Sequence, residues 1–128
     1  MHWGVLKDLG RSMGDGSIRA RCVEFHEYSQ DRGRVVCGNH FDTGSLFTVD
    51  LMLSHRSEYG GGKFVTTKGG ARGWTDFEQG DAIVFLSHKY HAVAPVPSGM
   101  RNVLVTEFWR GCECVASHRC CDDNRGCD

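Results

Sequence analysis

The chain has 128 residues, 15 basic and 16 acidic side chains and a formal net charge of −1, which allows one domain with a modest core. A balance so near zero gives no electrostatic case for nucleic acid or for an anionic membrane. No apolar run approaches the ~20 residues of a membrane span, and Met1 to Asp8 lacks the basic end and apolar centre of a signal peptide, so the expectation is a cytoplasmic location by default, or a chain truncated at its N-terminus.

Residues 1 to about 18 are glycine-rich and weakly patterned and read as loop or a fragment of helix. A first strand is predicted near 20–28, where Val23, Phe25 and Tyr28 roughly alternate with polar residues. A polar loop over 29–34 leads to a second strand, 35–42, carrying His40 and Asp42. Residues 46–53 give the strongest strand, with Thr48, Asp50 and Met52 on the inner face and Val49, Leu51 and Leu53 opposite. Residues 59–62 read as a flexible turn, 63–67 as a short strand, 68–72 as a glycine-rich connection and 73–77 as another strand. After a turn at 79–81 come a buried strand over 82–86, a strand over 91–96 and a last one over 102–109. About eight short strands at regular spacing, without a helical period, predict a mainly β jelly-roll or cupin-like fold, the double-stranded β-helix.

The chain carries 7 cysteines, an odd number that cannot all pair internally. Five of them crowd residues 112–127 with His118, but without paired C-x-x-C knuckles. That tail, 111–128, reads as separate from the β domain over 20–110, with residues 1–19 as an N-terminal remnant or linker.

The chemistry lies in His40-Phe41-Asp42. In a strand, residues two apart share a face roughly 6.7 Å apart, so both side chains can lean onto one ion. Phe41 then faces the apolar layer. Two histidines and a carboxylate are the facial triad of non-haem Fe(II) oxygenases. Chance alone supplies about 0.5 such triplets in a chain of this composition, so context must carry the reading. A third ligand comes from another strand, and both His88 and His91 lie near the start of one. Asp50 stands out because an unpaired carboxylate inside a barrel is costly. It either hydrogen-bonds to the site or faces a wet opening.

The context is specific. Gly80-Asp81-Ala82 opens an apolar strand ending Phe85-Leu86-Ser87, followed by His91-Ala92-Val93-Ala94-Pro95-Val96, Gly99 and Arg101. This run resembles the prolyl 4-hydroxylase-like family of Fe(II)/2-oxoglutarate dioxygenases. His40-Phe41-Asp42, Phe47-Thr48 and the Gly60-Gly61-Gly62 turn before Phe64 are similar to the same family, including its lysyl hydroxylase branch. The resemblance spans residues 20–110. It implies His40, Asp42 and His91 as iron ligands, with His91 preferred over His88 by its ten-residue spacing to Arg101. It also implies Arg101 as the residue gripping the far carboxylate of 2-oxoglutarate, for which a planar guanidinium is suited. Tyr28 matches a family tyrosine on the strand before the iron strand, and Thr48 is placed to help seat the co-substrate. The implied activity is hydroxylation of prolyl or lysyl side chains in a peptide or protein, with decarboxylation of 2-oxoglutarate to succinate and ascorbate as auxiliary reductant. The carboxylate of Asp42 favours hydroxylation over halogenation, since related halogenases lack it. The alternatives are a non-catalytic cupin-like binding module, or degenerate fragment of such an enzyme, and a zinc-binding interaction protein built on the cysteine tail.

Overall fold

The computed structural model describes residues 18–30, 40–66, 72–74 and 77–110, the third of these by backbone alone. They form antiparallel β-structure: β1 (Ile18–Ser29), β2 (Phe47–Met52), β3 (Tyr59–Gly60), β4 (Phe64–Thr66), β5 (Arg72–Trp74), β6 (Ala82–Leu86), β7 (His91–Val93) and β8 (Ser98–Arg110). The larger sheet runs β1-β8-β2-β6, with β3 also paired to β8, and the smaller runs β5-β4-β7. This is the expected mainly β jelly-roll. One short 3₁₀ turn, Arg56–Glu58, is capped by His55, which accepts from the Ser57 amide while the Glu58 side chain accepts from the His55 amide.

Register sets the interior. β1, β8 and β2 align Glu24 with Val105 and Asp50, and His26 with Val103 and Met52. Tyr28 lies opposite Arg101. Because side chains alternate across a strand, these residues share the inner face. Met52, Tyr59, Val96 and Val103 pack as one apolar cluster and Phe64, Ile83 and Phe85 as another, the latter joining the two sheets. Burying each large side chain contributes about 1.5–3 kcal/mol. Thr48, Asp50, Arg101 and Glu107 are buried on the same inner face, and polar burial of this kind is costly unless partners compensate.

Some expectations change. The described part of the predicted 35–42 strand is a single bridge at His40, with a turn at Thr43-Gly44, because its only ladder partner is the start of β7. Phe41 does not enter an apolar layer: it is exposed, edges against Tyr90 at 5.1 Å, and lines a cavity. Tyr59 and Gly60 pair with Gly99 and Ser98 rather than forming a free turn. Strand β6 is buried only at Ile83 and Phe85, whereas Val84 and Leu86 are exposed, since one face of the sheet points outward. The first strand and the last are both longer than predicted, and they are mutual partners over most of their length. The N-terminal segment, residues 35–39 and the cysteine tail lie outside the described residues.

Candidate metal centre

His40 and His91 form an antiparallel backbone bridge, each amide donating to the other's carbonyl at 3.0 and 2.8 Å. That rung places the two imidazoles side by side, with ring centroids 4.4 Å apart. Asp42 enters from the next turn, where its amide donates to the Ser87 carbonyl at 2.9 Å. One oxygen, Asp42 Oδ1, then lies 3.7 Å from His40 Nε2 and 3.8 Å from His91 Nε2. All three ligand atoms fall within 4.8 Å of one another. Bonds from nitrogen or oxygen to a first-row metal are about 2.0–2.2 Å, so two such bonds and a modest side-chain rotation span these gaps.

The surroundings fix which atoms face the centre. Thr48 donates its hydroxyl to Asp42 Oδ2 at 2.6 Å. With its one proton used, Thr48 must accept from Ser87 Oγ, 2.9 Å away. This chain holds Oδ2 and leaves Oδ1 turned to the imidazoles. His91 Nδ1 lies 3.0 Å from the Lys89 carbonyl and donates to it, which turns Nε2 toward Asp42. Phe64 and Phe85 pack on the His91 ring at 5.7 and 4.6 Å. An oriented imidazole beside a half-capped carboxylate fits a divalent cation. His88 is exposed on the turn before β7 and takes no part in the cluster.

A cavity of about 410 Å³ opens beside the triad. Its wall includes Tyr28, Thr48, Asp50, Val93 and Glu107, as well as all three triad residues. Burial pushes the Asp50 carboxyl up to about 7; nearby Arg101 opposes the shift and Asp42 reinforces it. Burial also pushes the Tyr28 phenol up to about 12, against the opposing charge of Arg101. Arg101 is 1% exposed, with its guanidinium carbon 5.1 Å from the centre of the Tyr28 ring. Its Nε and Nη1 are buried with no hydrogen-bond partner.

A neighbouring network anchors the triad loop. A bulge between Ala20 and Cys22 inserts an extra residue, Arg21, into β1. Arg21 donates to the Thr43 carbonyl and to Ser45 Oγ, and Ser45 donates to Glu107. Sequence reasoning did not single out Glu24, His26, Arg21 or Glu107. Once β1 is aligned with β8, the first two fall on the same face as Tyr28, and that alternation was readable. The bulge that redirects Arg21 carries no comparable signal.

No family model and no curated protein matches the chain. Among solved structures it is similar to an oxidoreductase of the 2OG-Fe(II) oxygenase family from Burkholderia pseudomallei, with a TM-score of 0.65 at 22% identity. The match covers 81% of this chain and 50% of that one, so the chain spans about half the length of that relative. At this identity the likeness speaks to fold: the chain has the jelly-roll of a structure from the 2OG-Fe(II) oxygenase family.

Proposed function

We propose that the chain is an Fe(II)- and 2-oxoglutarate-dependent hydroxylase acting on prolyl or lysyl side chains of a peptide or protein. The observation that carries this reading is the meeting of His40, Asp42 and His91 at one edge of a cavity, with a buried arginine that has two unpartnered nitrogens behind Tyr28, one of the cavity's lining residues. His40 Nε2, Asp42 Oδ1 and His91 Nε2 are the ligands this reading assigns to the metal, and three protein ligands leave room for exchangeable ones. Bound Fe(II) with 2-oxoglutarate supplies the oxidising power to turn a C–H bond into C–OH, with dioxygen consumed and succinate and carbon dioxide released.

The chain's own residues do the rest. Arg101, buried with Nε and Nη1 unpartnered, offers a fixed positive charge and free donors to a carboxylate. Tyr28 and Thr48 line the same cavity and complete the seat for the co-substrate. Phe64 and Phe85 cover His91 and keep water from its exposed edges. Phe41 lines the cavity and edges against Tyr90, both open to solvent, which offers an apolar contact to a peptide there. The prolyl or lysyl assignment rests on the sequence resemblance over 20–110.

The test is oxygen-free purification, loading with Fe(II), and measurement of succinate formed on addition of oxygen, 2-oxoglutarate and ascorbate, with and without prolyl and lysyl peptides. Iron-dependent succinate is expected, and Asp42→Ala or His91→Ala should abolish both it and metal binding. Succinate formation that survives either substitution would sink the assignment. A chain that binds the metal but never turns over would favour the non-catalytic binding module.

A further inference from the structure

Asp42 opens a turn whose next two residues, Thr43 and Gly44, are exposed. Its amide donates to the Ser87 carbonyl, and its own carbonyl accepts from the Ser45 amide at 3.3 Å, a long bond for a turn. Thr48 holds one carboxylate oxygen. None of these contacts holds the peptide between Thr43 and Gly44, and a carboxylate stays aimed only if the backbone beneath it does. Arg21 supplies that hold. The bulge leaves Arg21 without a ladder partner beside Cys22, and both are buried. The guanidinium carbon stands 5.0 Å from the centre of the Trp109 ring. Nη1 spends both its protons on the turn, one on the Thr43 carbonyl and one on Ser45 Oγ. Ser45 passes its own proton to Glu107, and Glu107 is the β8 neighbour of Thr48 on β2. The turn is thus gripped twice, at the carboxylate by Thr48 and at the following peptide by Arg21.

We propose that Arg21 is a positioning residue for the metal centre: it holds the turn after Asp42 so that Oδ1 stays aimed at the two imidazoles before any ion binds. This rests on the metal-centre reading above. The same grip accounts for glycine at position 44. There φ is +86°, and a Cβ would come within 2.6 Å of Arg21 Nη1, so a side chain would displace the guanidinium from the two acceptors it holds. Arg21 touches no ligand atom. It acts through the backbone that carries one.

The test is Co(II) binding to the full metal-free chain, read by calorimetry and by the visible absorption of the bound ion, which reports its ligand geometry. Arg21→Met combined with Glu107→Gln removes both buried charges together, so neither is left unpaired and the net charge near the site is unchanged. This variant should bind Co(II) about tenfold to a hundredfold more weakly, the usual loss when the support behind a ligand is removed, and with altered absorption. Val103→Ala, a truncation in the apolar cluster with Met52 and Tyr59, should lower the melting temperature yet leave Co(II) affinity within about twofold. Hydrogen exchange of the metal-free chain reads the same grip without an ion. The Ser45 amide should exchange faster in the double variant, with the His40 and His91 amides unchanged. Unchanged affinity and absorption in the double variant, or an equal loss of affinity in Val103→Ala, overturns the positioning role. If the double variant does not fold, Ser45→Ala takes its place, since it removes one acceptor and leaves both charges. It should weaken Co(II) binding by more than about twofold, and an unchanged affinity overturns the proposal. Failure of the unmodified chain to bind Co(II) overturns the metal-centre reading instead, and the Ser45 exchange rate still decides whether Arg21 holds the turn.

Discussion

Asp50 shows how much one buried carboxyl can weigh. It lies on the inner face of β2, 9% exposed, with Asp42 raising its pKa and Arg101 lowering it. In the unfolded chain it titrates near its ordinary 3.8, and in the fold near 7. A folded pKa above the unfolded one means the native state holds the proton longer, so its contribution is complete below about pH 4. That contribution falls as pH rises and is lost above about pH 7, a difference on the order of 4 kcal/mol. Asp50→Asn removes the dependence. In urea unfolding of the metal-free chain, the stability gained over the unmodified protein should grow from pH 5 to pH 8. An equal difference at both would mean that Asp50 is ionised throughout.

Between elements, Gly62 decides where Arg101 sits and Gly99 how closely β3 meets β8. Gly62 has φ of +66°, and a Cβ there would come within 2.7 Å of Arg101 Cδ and 3.2 Å of Tyr59 and Val96. Gly99, at φ +72°, lies so close to Glu58 and Tyr59 that any side chain would separate β3 from β8. Gly62→Ala should therefore push Arg101 aside and cost about 1–3 kcal/mol of stability. It should weaken 2-oxoglutarate binding while leaving metal affinity within twofold, read by separate titrations of each. Equal loss of both would show that the triad depends on this turn. The Gly60-Gly61-Gly62 run was visible in the sequence, but its packing role was not. A string of glycines announces a turn, while the contact that requires them involves a residue some forty positions later. The same limit explains the other departures. Alternation showed Thr48, Asp50 and Met52 facing inward. It did not distinguish a full strand before His40 from one bridge, because that depends on what lies opposite. His91 over His88 was legible through spacing to Arg101, and the geometry brings His91 to Asp42.

The whole molecule has two unlike faces. The inner one holds the cavity and the buried polar groups. The outer face of the larger sheet is apolar along aligned rows: Phe25 with Leu104, Leu51 and Ala82, and Val23 with Thr106, Val49 and Val84. Phe25 is 56% exposed, and Val84 and Leu86 are also open to solvent. A contiguous apolar patch on a sheet favours association. Replacing Val84 with Lys and Leu86 with Glu together should reduce concentration-dependent self-association in sedimentation velocity. Stability should change by less than about 1 kcal/mol, as befits exposed positions. Undiminished association would locate the adhesive surface elsewhere. Among the described residues no helix is long and apolar enough to cross a membrane.

The rung between His40 and His91 has a consequence for time as well as place. Each residue's amide is held by the other's carbonyl, so a parting of the two backbones frees both protons at once. In hydrogen exchange the two amides should open as a pair, with one shared rate set by a single fluctuation. A site built on such a rung is assembled before its ion arrives. A cation binding there would meet two imidazoles already side by side, with little chain entropy left to lose.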